Sequence, residues 1–155
     1  MKLAEALSLR ADATRRVEQL RTRIVANARF QEGEEPTEDA AALLGEASAV
    51  LDELEDLIRR INRTNAATEI GSDGTVTDAL ARRDVLRARH SVVTAAADAA
   101  AGRNQGMGRQ LRSELKMLTA LPVAELRSQA DDLARRIREL DARIQQSNWQ
   151  FDLLE

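Results

Sequence analysis

Arg10, Thr14, Asn62, Asn65, Arg83, Arg87, His90 and Ser147 fall on or beside positions where an apolar helical stripe is expected. A guanidinium at such a place must be paired, solvated or ligand-bound, because an isolated charge is too costly to bury. Ala79, Leu86, Val93 and Ala100 repeat every seven residues, and the seam position four residues further on is Arg83, His90, Ala97. Asn62 and Asn65 flank Thr64 where the preceding stripe runs out, and Gln145, Gln146, Ser147 and Asn148 close the last one. Two kinds of chemistry suit such a set. One is a structural polar network that fixes register and partner choice. The other is a pocket for a small anionic ligand or nucleotide, with Glu5, Asp12, Asp78 and Asp84 near enough in sequence to pair the arginines. His90 reads as a core or interface histidine, since no suitably spaced nucleophile accompanies it.

A second constellation is acidic. Glu35-x-x-Glu38 and Glu53-x-x-Asp56 resemble the paired motifs by which all-α nucleotide pyrophosphohydrolases hold Mg²⁺. Carboxylates one helical turn apart can share a hard cation. Pro36 interrupts the first pair, which leaves Glu53 and Asp56 as the metal candidates. The chain has no cysteine and one histidine, which removes thiolate and multi-histidine sites. There is no Glu-x-x-His of the dimetal bundles and no phosphate loop of the Gly-x-x-x-x-Gly-Lys type. No cofactor and no catalytic residue are expected.

Charge narrows the partners. The 155 residues carry a formal net charge of −3 and no tyrosine. Neither a cationic surface nor a set of stacking aromatics is present, which argues against nucleic acid. Ten acids and no base lie between residues 31 and 57, so the remainder is +7. The opening Met1-Lys2-Leu3-Ala4-Glu5 lacks a signal-peptide pattern, and no stretch is long and apolar enough for a bilayer. A cytoplasmic protein without membrane contact is expected.

Four segments with helical periodicity must position these groups. They run at about 3–31, 38–67, 78–101 and 122–150. The second shows the pattern most clearly, with Leu43, Ala47, Val50, Leu54, Leu57 and Ile61 in steps of three and four. Thr37 is placed to open it, Thr77 to open the third, and Pro122 to stand at the first position of the fourth. Acid-first spacings of four (Glu55/Arg59, Asp56/Arg60, Asp131/Arg135, Asp132/Arg136, Glu139/Arg143) mark solvated faces. Residues 68–77, turning on Asp73-Gly74, read as a β-hairpin. Alternation through 110–120 reads as a strand joining it. The fold class is mainly α: one domain, residues 1–155, with four long helices in an antiparallel bundle and a small β element.

In an up-down-up-down bundle the polar interruptions of all four helices share one end. Trp149 and Phe151 would plug it.

Met1–Leu7 with Arg10-Ala11-Asp12, Asn27–Glu34, Ile61–Asn65, Thr77–Arg87 and Asp141–Gln145 with Asn148-Trp149 together resemble a family of bacterial helical proteins sometimes labelled septicolysin-like. The resemblance spans nearly the whole chain. The label implies a pore-forming toxin, but no long amphipathic strand pair or insertion helix is present here. It implies no site residues. An alanine-rich core with little apolar payload, long regular seams and a −10 block facing a +7 remainder point instead to homo-oligomerisation or another protein–protein association.

Overall fold

The computed structural model describes residues 1–103 and 115–155. Four long helices dominate: α1 (Leu3–Asn27), α2 (Ala40–Ala67), α3 (Val76–Ala100) and α4 (Val123–Gln150). The described residues fall into two compact units. The first comprises Met1–Glu69, Thr75–Thr77 and Gln145–Glu155; the second comprises Ile70–Gly74 and Asp78–Ile144.

In the first unit α1 and α2 form an antiparallel hairpin. Leu20 of α1 is buried against Leu43, Ala47 and Val50 of α2, with Ala13, Val17 and Ile24 packed around them. At the other end Leu3 and Ala6 meet Ile61 and Leu153. Leu43, Ala47, Val50 and Ile61 are stripe positions that the helical period marks, whereas Ala6 and Leu153 are not. The loop between the helices is held by polar groups. Asn27 Oδ1 accepts the Glu38 N–H at 3.0 Å, and the Glu38 carboxylate takes Arg23. Asp39, not Thr37, caps α2, accepting from the N–H groups of Ala41 and Ala42 at 2.9 and 3.2 Å. Helix α1 accordingly stops at Asn27, short of the expected residue 31, because that side chain is committed to the loop.

The chain returns to this unit at its far end. Leu3 N–H donates to Phe151 O at 3.0 Å and Leu153 N–H to Met1 O at 2.8 Å. Together they make the antiparallel bridge Lys2↔Asp152.

In the second unit α3 and α4 run antiparallel. Ala79 and Leu86 bury against Leu133, Leu140 and Ile144, flanked by Val93 and Ile137. Asp98–Arg127 at 2.6 Å ties one end of the pair, and Arg87–Asp141 at 2.9 Å lies towards the other.

The expected β element does not form. Among the described residues the backbone pairs outside helices only as isolated bridges, Lys2↔Asp152 and Glu69↔Thr75. Residues Gly71–Asp73 wind into a single 3-10 turn instead, and α3 begins at Val76. That leaves one residue pair where a hairpin needs several. Val76 is buried as the first residue of a helix. Of the strand expected at 110–120, residues 110–114 lie outside the described residues, and 115–120 are exposed and irregular.

Candidate functional site

The eight polar candidates divide between the two units: Arg10, Thr14, Asn62, Asn65 and Ser147 in the first, Arg83, Arg87 and His90 in the second.

In the first unit the polar groups serve the backbone. Thr14 Oγ1 donates to Arg10 O at 2.9 Å within its own helix, and the Arg10 and Asn62 side chains are exposed. Asn65 is half-buried; Ser147 is buried, as is its neighbour Asn148. The central group is one outside the expected set. Thr64, fully buried, donates to Arg60 O at 2.8 Å and accepts the Leu154 N–H at 2.9 Å. Arg60 Nε donates to Leu154 O at 3.2 Å, and Arg63 Nη1 donates to Glu155 O at 3.4 Å. The last two turns of α2 thus clamp the C-terminal segment of the chain. A polar residue ending an apolar seam is the visible signal for Thr64; its distant partner, 90 residues away, is not visible.

Trp149 does not plug anything in this unit. It is 63% exposed, while Leu153 takes the buried place beside Leu3 and Ile61. Phe151 is half-buried, and its carbonyl is used by Leu3.

In the second unit the arginines meet carboxylates. Arg83 lies 3.3 Å from Asp84 and 3.6 Å from Asp141, and Arg87 shares Asp141. His90 is half-buried one turn further on. The densest arrangement centres on Asp73, whose side chain is only 6% exposed. Its Oδ1 accepts from Arg82 at 2.6 Å and its Oδ2 from Arg143 Nε at 2.7 Å. Two half-exposed guanidiniums therefore neutralise one buried carboxylate, as a buried acid requires. Sequence spacing had paired Arg143 with Glu139 and had made Asp73 a turn residue. Asp73 does stand in a turn, but a 3-10 one that buries its carboxylate, and Arg143 pairs with it there instead of with Glu139.

Of the other local pairs Asp56/Arg60 forms as spaced, while Arg59 and Arg135 take other carboxylates than the expected Glu55 and Asp131. Asp56 holds both Arg59, at 2.6 Å, and Arg60, at 3.7 Å. Arg135 takes Asp132 and Glu139. The carboxylate of Asp132 is thereby engaged one residue away from its expected partner Arg136. The metal candidates sit accordingly: Asp56 faces two arginines, and Glu53 is exposed. Among the described residues no group of three or more histidines and carboxylates could hold a metal ion. No buried side-chain nitrogen or oxygen among them lacks a hydrogen-bond partner. A fully satisfied polar set of this kind rigidifies its surroundings. No described helix is long and apolar enough to cross a membrane.

Residues 10–153 match a family of unknown function, DUF6847, and the chain belongs to that family. It is also similar to a functionally unknown conserved protein from Corynebacterium diphtheriae, known from its crystal structure. The two are 38% identical over 99% of each chain, with a TM-score of 0.91. No curated protein matches the chain. These comparisons support a helical protein of a family without assigned function, related to a bacterial one; the septicolysin-like label draws no support from them.

Proposed function

We propose that the protein acts through association with other protein chains, most directly with copies of itself. The observation that carries this reading is a second apolar stripe on α2. Leu44, Leu51 and Ile58 are spaced seven apart and are 61%, 48% and 40% exposed. They lie beside the buried seam Leu43, Ala47, Val50 and Ile61, not on it. A seven-residue repeat of large apolar side chains is the pattern by which one helix packs along another. From Leu44 to Ile58 the stripe runs about 21 Å.

Charge favours a second copy as the occupant. Asp52, Glu53, Glu55 and Asp56 occupy the middle of α2, and Arg59, Arg60 and Arg63 follow them. Two α2 helices packed antiparallel about Leu51 bring Arg63 of each opposite Asp39 of the other, whereas parallel packing in register sets acids against acids and arginines against arginines. A helix pair related in this way by a two-fold axis closes into a dimer. The proposal includes the cytoplasmic setting expected from the sequence.

Sedimentation equilibrium tests it. The expected result is a dimer at micromolar concentration that Leu51→Glu converts to a monomer with unchanged helix content. A wild-type chain that stays monomeric at that concentration overturns the reading, as does a dimer indifferent to the substitution.

A further inference from the structure

A shallow groove of about 460 Å³ on the second unit is lined by Ala81, Arg82, Val85, Leu86 and Arg89 of α3 and by Arg136 of α4. Its cations differ in their pairing from those of the arginine-lined groove on the first unit. A comparable groove on the first unit contains Arg15, Arg16 and Arg23, and each of these is matched by a carboxylate: Asp12, Glu46 and Glu38 respectively. In the second groove Arg89 and Arg136 have no carboxylate partner among the described residues.

The sequence explains why. The residues three and four places from Arg89 on either side are Val85, Leu86, Val92 and Val93, so its helix offers no acid within reach. Arg136 has Asp132 one turn back, but that carboxylate is taken by Arg135. The third cation, Arg82, is anchored through Nη1 to the buried Asp73, which Arg143 also holds. An anchored guanidinium loses little further freedom when its remaining donors engage a ligand. Between the cations the floor is apolar: Leu86 is buried and Val85 is 58% exposed.

We propose that this groove binds a planar organic phosphate. The phosphate sits between Arg89 and Arg136, whose forked donors suit its oxygens. The flat body lies on Val85 and Leu86 beside the guanidinium plane of Arg82. The groove's volume falls within the range of small-molecule sites. This inference is independent of self-association through α2, because it uses neither that helix nor a second copy.

Flavin mononucleotide, which carries both features and reports by fluorescence, is the first probe. Riboflavin supplies the body without the charge, and inorganic phosphate the charge without the body. The expected result is saturable binding of flavin mononucleotide, at least tenfold tighter than riboflavin and weakly competed by phosphate. Arg89→Ala and Arg136→Ala should each weaken it by about tenfold or more, with the circular dichroism spectrum unchanged. Arg138→Ala, on an exposed arginine outside the groove, should leave it unaltered. Equal losses in all three variants mean general charge attraction and overturn the proposal. So does the absence of saturable binding by both flavin mononucleotide and adenosine monophosphate up to millimolar concentration.

Discussion

Asp73 and Arg143 stand 70 residues apart in the chain and meet at 2.7 Å, Oδ2 against Nε. The same carboxylate receives Arg82, so a three-residue turn, the first turns of α3 and the last turns of α4 share one buried charge. Replacing Asp73 by alanine removes two charge-assisted hydrogen bonds and leaves two arginines that can still reach water. The expected destabilisation is about 1.5–3 kcal/mol, read as a lowered urea midpoint with an unchanged slope. Arg143→Lys should cost less than Arg143→Ala, because lysine keeps the charge but not the Nε geometry.

Gly74 follows Asp73 with φ +80° and ψ −142°, a region nearly closed to other residues. A Cβ there would lie 2.7 Å from Asp78 Oδ2. Gly74→Ala should therefore destabilise the protein by about 1–3 kcal/mol. A matched substitution at Gly45, inside α2 with nothing within 4 Å of its added Cβ, should instead stabilise it by about 0.5–1 kcal/mol. Thermal unfolding of the two alanine variants should shift the midpoint in opposite directions.

The Glu38 carboxyl is held below its ordinary range by the hydrogen bond from Arg23, and Asp152 is lowered likewise by Lys2. For an acid so lowered, the contribution to stability is present above its unfolded value. It is lost as pH falls through the folded one. Wild type and Glu38→Gln should thus differ in stability near neutral pH and converge in acid. Denaturation profiles across pH 2–7 check this; a difference that widens in acid would contradict it.

Ile61 is 1% exposed, between Leu3 and Leu153, and Val25 is 71% exposed. Ile61→Ala should cost about 2–5 kcal/mol. Val25→Ala should change stability by less than about 0.5 kcal/mol. Equilibrium unfolding in urea separates them.

The four helices and much of their buried seams are legible in the sequence, because a 3.6-residue period survives in Leu43, Val50, Ile61, Leu133 and Leu140 alike. Helix ends are less so. Thr37 and Asp39 are both good caps, and only the tertiary bond from Asn27 to Glu38 decides between them. The Asp-Gly pair at 73–74 announces a turn but not its kind. A hairpin and a 3-10 turn need the same two residues, and the difference is where the carboxylate finds its counter-charge.

Two further features were hidden for a related reason. On α2 and α3 more than one apolar stripe has regular spacing, and periodicity alone does not say which is covered. Leu44, Leu51 and Ile58 differ from the buried seam by a rotation of about one quarter turn. Trp149 follows buried Asn148 and is itself exposed, which reverses the usual order of aromatic and polar residues. Neither the charge pairing of Arg83 with Asp141 nor the absence of a facing acid beside Arg89 and Arg136 follows from spacing within one helix. Both depend on which helix faces which.

The bridge Lys2↔Asp152 has a consequence for how the chain is made. Residues 70–74 and 78–144 form a unit interrupting another, which takes in residues 75–77 and then resumes at residue 145. During synthesis the hairpin of α1 and α2 can close around Leu20 and Val50 as soon as both helices are out. The cluster of Leu3, Ala6 and Ile61 must wait, exposed, for Leu153. The earliest helix therefore carries an unfinished apolar end through nearly the whole of translation, and a ribosome stalled before residue 153 would present that end to chaperones.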